Sequence, residues 1–141
     1  MAVLIEAIEE DRGESCEGDQ SVYFSRNGTL SLVTIMLEQE KEVYLVDMTT
    51  LGRNAFTTAG ADGHMLKSVL ESRNIVKVFF DIRNDSDALF GHYEICIAGI
   101  KDLQLMELAS RNFSKRNVNG LAKCIEQDST IPFVERQGGR W

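Results

Sequence analysis

The chain is 141 residues long, 43% hydrophobic and 26% charged, with a formal net charge of −7. That is enough for one domain around a single core, and no apolar run reaches the ~18 residues a membrane-crossing helix needs. Cys16, Cys96 and Cys124 are odd in number and form no Cys-x-x-Cys pair, which argues against a disulfide framework or structural zinc site and fits a reducing, intracellular compartment, cytoplasmic or nuclear.

In chain order, residues 1–20 come first, with seven acids against one base, a net −6. Met1 to Glu6 is apolar too briefly, and lacks the basic start, to be a secretion signal. An extra strand is expected somewhere within residues 2–8. Leu30 to Leu37 reads as a strand, with β-branched residues and partial alternation. Glu38 to Glu42 is a polar turn, and Val43 to Met48 is the second strand of a hairpin. Asn54 to Gly63 is small and polar, hence a loop, and Asp62 is placed to cap a helix buried through Met65, Leu66, Val69 and Leu70.

Ile75 to Phe80 is apolar except for Lys77 and predicts a strand buried on both faces. Asn84 to Tyr93 predicts a helix, and Ile95 to Leu103 a weak strand broken by Gly99. Leu105 to Arg111 and Leu121 to Gln127 predict two more helices. An antiparallel pair followed by β-α units gives an α/β class with a mixed sheet. Residues 111–141 carry six bases against three acids, a net +3. Within them Arg111, Lys115, Arg116 and Lys123 suit a nucleic-acid backbone, although a solvated helix face explains them equally well. An acidic chain is a poor non-specific DNA binder, unless bound cations offset its acids.

The densest chemistry lies in Lys77 to Leu89, where an apolar strand breaks into Asp81, Asp85 and Asp87 before a helix resumes. Converging carboxylates are what hard divalent cations require, and two such cations can align a water with a scissile phosphate. Asn84 followed three residues later by Asp87 also reads as a helix start, with acids favoured in the first turn. On residue types alone, capping outweighs metal binding. His64 and His92 are isolated and read as surface or capping residues, Gly28 as a turn residue, and Trp141 as a core residue.

Several segments together resemble the fungal-type RNase D-like 3′–5′ exonuclease domains of the DEDD superfamily. They are Ser25 to Leu32, Val43 to Asp47, Thr50-Leu51-Gly52, Ala55 to Thr58, Leu66 to Ser72, Val78 to Leu89 and Asp102 to Glu107. The likeness covers residues 25–125 and implies an RNase H-like mixed β-sheet flanked by helices. It also implies two-metal removal of nucleotides from a 3′ end, with Mg²⁺ or Mn²⁺ as cofactor and RNA or single-stranded DNA as partner. The family's second motif falls on Asp85.

Its first motif, Asp-x-Glu-Gly, is degraded here. Without gaps it falls on Gly18 and Gln20; with a three-residue insertion Glu17 keeps the Glu place and Ser15 replaces the Asp. Glu17 and Asp19 are the acids nearest the lost motif, so the expected ligands are Asp85, Glu17 and Asp19, with Asp85 and Glu17 catalytic. The third motif pairs a Tyr or His with an Asp, and no Tyr or His follows Tyr93. The domain reading is a divergent segment over 1–24 and a partial, C-terminally incomplete exonuclease domain over 25–141. Two functions follow: a 3′–5′ exonuclease of doubtful activity, or an inactive nuclease fold that binds RNA or a protein.

Overall fold

A computed structural model of the chain describes residues 2–10 and 29–128, the first stretch by its backbone alone. Two compact units appear, Met1–Asp102 and Leu103–Trp141.

The first unit is built on a five-stranded sheet in the order β3-β2-β1-β4-β5. Its strands are β1 (Ala2–Glu10), β2 (Thr29–Leu37), β3 (Glu42–Asp47), β4 (Val76–Phe79) and β5 (Ile100–Asp102). β1, β2 and β3 pair antiparallel, whereas β4 is parallel to both β1 and β5. This is the RNase H-like mixed sheet the resemblance implies. The strand expected within residues 2–8 exists and is its middle strand, although it lies in the segment read as divergent. β4 lies in the interior of the sheet, with hydrogen-bonded neighbours on both sides.

In β2 the buried residues Val33 and Ile35 alternate with half-buried ones. Ser31 is the extra residue of a bulge, since Ile8 pairs Leu32 while Glu9 pairs Leu30. The bulge resets the alternation, and Leu30 joins Val33 and Ile35 in the core. Met48, Phe56, Leu70, Phe79, Leu89 and Ile95 complete that cluster. Burying each large side chain contributes roughly 1.5–3 kcal/mol. Two helical turns that the sequence reading missed, α1 (Met48–Leu51) and α2 (Asn54–Thr57), supply Met48 and Phe56. Asp47 caps α1 by accepting from Thr50 N at 3.0 Å, so the hairpin's second strand stops there rather than at Met48.

The next helix, α3, spans Leu66–Glu71. Asp62 does not cap it; its Oδ1 accepts from His64 N at 3.0 Å, two residues away. Ser68 Oγ instead accepts from Met65 N at 3.3 Å. At the far end Lys77 resolves the apparent flaw in β4. Its side chain is fully buried, and its Nζ donates to Val69 O at 2.9 Å and Ser72 O at 2.5 Å. Helix-end carbonyls carry partial negative charge and suit a cation, while desolvation pulls the Lys77 pKa down.

α4 spans Arg83–Tyr93 and ends on Glu94 in the left-handed region. The weak strand expected from Ile95 shrinks to Ile100–Asp102, because Ile95 turns into the core and Gly99 reverses the chain at φ +69°. In the second unit, α5 (Leu103–Ser110) and α6 (Leu121–Asp128) are joined by residues 111–120 without regular structure. Among the described residues no helix is long and apolar enough to cross a membrane.

Candidate functional site

The corner between β4 and α4 holds the acids singled out by the sequence. Asp81 takes a left-handed φ of +60°, which turns the chain from strand to helix. A non-glycine residue there is strained, and two interactions hold it. Arg83 grips the Asp81 carboxylate through Nε at 2.6 Å and Nη2 at 2.8 Å. The hydrogen bond from Arg83 and its charge keep the Asp81 carboxyl below the usual range. The second interaction comes from the end of β5. The Asp102 carboxylate accepts from Asp81 N at 3.2 Å and from Ile82 N at 3.3 Å.

Asp102 therefore does the work expected of Asn84. The helix begins at Arg83, its N-cap residue Ile82 has no capping side chain, and Asn84 lies inside the first turn. A buried carboxylate from a neighbouring strand reaches the exposed amides before any local side chain can. No local pattern marks Asp102, since its partners lie 20 and 21 residues away. Sequence reasoning placed it only at the start of a resembling segment.

Asp85 sits in the first turn of α4 and is half-buried. Glu17 and Asp19 lie outside the described residues. β1 runs six residues past its last pair with β4, Leu4 with Val78, so the backbone of Glu6, Glu9 and Glu10 continues beyond the end of β4 from which the corner leaves. Among the described residues no three His, Cys, Asp or Glu side chains converge as a metal cluster would. Asp81 and Asp102 are spent on the corner, so the described donors do not by themselves fit a two-metal cage.

The four basic residues separate into two kinds. Arg111 is buried, contrary to a backbone-contacting role. Its Nε donates to Glu107 Oε1 at 2.9 Å, and its Nη1 donates to Ser114 O at 3.0 Å and Asn117 O at 2.9 Å. A planar guanidinium with five donors suits such a hub. Lys115, Arg116 and Lys123 are exposed, with Lys115 Nζ resting on Ala109 O at 2.6 Å.

The Arg111 hydrogen bond holds the Glu107 carboxyl below its ordinary range. A depressed folded-state pKa stabilises above the unfolded value and is lost as pH falls through the folded one. Thermal melts of wild type and Glu107→Gln are expected to differ most near neutral pH. The difference should shrink once pH drops below the ordinary glutamate range.

A family model described as 3′–5′ exonuclease matches residues 16–131. The chain belongs to the 3′–5′ exonuclease family. Trypanosoma brucei RNase D in complex with RNA U12 has the same fold, with a TM-score of 0.70 and 23% identity over 92% of this chain and 40% of that one. The catalytic core of RRP6 from Trypanosoma brucei gives 0.60 and 18% over 92% of this chain and 29% of that one. Brucella melitensis NrnC bound to pGG gives 0.59 and 16% over 89% of this chain and 52% of that one. A search of curated proteins gives no match. This exonuclease-family chain thus spans about half or less of each of those three proteins.

Proposed function

We propose that this chain is a nucleic-acid-processing protein of its family that holds the 3′-terminal stretch of RNA or single-stranded DNA, with hydrolysis weak or lost. The observation that carries the reading is the β4–α4 corner. Asp81 and Asp102 hold the corner itself, while Asp85 stands where the family's second motif falls. Nucleic acid as the ligand class is supported by the RNA carried by the RNase D structure and by exposed Lys115, Arg116 and Lys123.

In this reading a divalent cation, Mg²⁺ or Mn²⁺, would be held by Asp85 together with Glu17 or Asp19, and hard oxygen donors suit either ion. Calorimetric titration with Mn²⁺ is expected to give weak binding by wild type and none by Asp85→Asn. Equal binding by both proteins would reduce Asp85 to a helix-start acid.

A further inference from the structure

Phe113 is 61% exposed. A lone exposed aromatic is ordinary, but three features set this one apart. The Arg111 guanidinium lies over its ring, 5.2 Å from the centroid. That guanidinium is itself immobilised by Glu107, Ser114 O and Asn117 O, so the ring rests on a fixed plane. Residues 111–123 also contain four bases and no acid.

We propose that Phe113 is a base-stacking platform for single-stranded nucleic acid, with Lys115, Arg116 and Lys123 neutralising the flanking phosphates. The inference rests on the nucleic-acid reading above and gives it a second contact point, in the second unit. An aromatic face stacks on any base, and basic neighbours track the backbone without reading sequence. Rigidity matters because a pre-placed ring spends little conformational entropy on binding. The segment is tied at both ends: Lys115 Nζ reaches Ala109 O at 2.6 Å and Gln104 Nε2 reaches Asn119 O at 3.0 Å. A base on the solvent side of the ring would complete a guanidinium–phenyl–base stack. Stacking tolerates every base, so this contact supplies affinity rather than sequence choice.

The test is fluorescence anisotropy of a dye-labelled oligouridine with the full chain, without metal, at several salt concentrations. Phe113→Ala should bind about 5- to 160-fold more weakly, the range for losing one stacked base. Phe113→Tyr should bind as wild type does. The salt slope should stay unchanged in Phe113→Ala, because no charge is lost, and become shallower by roughly 0.7 in Lys115→Ala. An oligomer of abasic sites with the same phosphates should bind wild type and Phe113→Ala alike. Wild-type binding to RNA that Phe113→Ala matches would overturn the platform alone. Absence of RNA binding by wild type would overturn the functional reading together with it. Unchanged melting of Phe113→Ala, expected for so exposed a ring, separates lost stacking from lost fold.

Discussion

Given end-labelled RNA or single-stranded DNA and Mn²⁺, the 141-residue chain is expected to shorten the substrate from its 3′ end hardly at all. The reason is geometric. Two-metal hydrolysis needs carboxylates enough to fix both cations, one activating the water and one stabilising the leaving oxygen. At the β4–α4 corner two of the described acids are committed elsewhere, Asp81 to Arg83 and Asp102 to the amides of Asp81 and Ile82, and among the described residues no three His, Cys, Asp or Glu side chains converge. In the alignment the family resemblance implies, Ser15 stands in the Asp place of the first-motif pair, and within this chain no Tyr or His follows Tyr93. Losing a cation removes nucleophile and leaving-group stabilisation together, so rates should lie orders of magnitude below those of an intact two-metal site. Ser15→Asp alone should not restore them in the 141-residue chain, which carries no Tyr or His after Tyr93 to fill the third-motif place. Robust metal-dependent shortening that Asp85→Ala abolishes would show that other residues form the cage.

The second large effect falls on stability, at Gly99. Its φ of +69° disfavours any side chain. A Cβ there would stand 2.5 Å from Ile75 O, 2.9 Å from Ser72 O and 3.1 Å from Arg73 O. All three obstacles are backbone and cannot swing aside. The carbonyl of the same residue accepts from Lys77 N at 2.8 Å. Gly99→Ala should therefore cost about 1–2 kcal/mol in backbone strain and a further ~1–3 kcal/mol in overpacking. Against a typical total stability of about 5–15 kcal/mol that is severe, and a thermal melt should show a fall of roughly 10 °C or more. Gly52→Ala makes a useful comparison, since it also has positive φ but nothing within 4 Å of the added Cβ. It should lose the strain component alone. Equal losses at both sites would mean that the close approach at Gly99 is absent in solution.

Much of the fold was legible because its signals are local. The β-branched run of β2, the polar turn before β3 and the spacing of Leu66, Val69 and Leu70 each state their element within a few residues. The acid cluster after β4 likewise announces a strand-to-helix corner. Local signals are weakest where burial and propensity disagree. Lys77 reads as an interruption, yet it is enclosed, because the end of α3 presents Val69 O and the following Ser72 presents its own carbonyl. α2 falls among small polar residues that look like a loop and α1 begins at Met48, which reads as the end of a strand, yet Met48 and Phe56 within them enter the core.

By itself the sequence determined the α/β class and the family, both of which depend on patterns a few residues long. Tertiary structure alone decided that Ala2–Glu10 is the middle strand, that Asp102 rather than Asn84 caps the corner, and that Arg111 faces inward while Phe113 stays outside. The first two turn on which groups meet across long stretches of chain, Asp102 lying 20 and 21 residues from the amides it caps, whereas Arg111 is enclosed by nearer partners, Glu107, Ser114 and Asn117, once residues 111–120 fold around it. A carboxylate caps whichever amides the sheet brings to it, and a guanidinium is buried wherever enough carbonyls surround it. The first condition is not written in the residues next door, and the second depends on how the stretch after α5 folds.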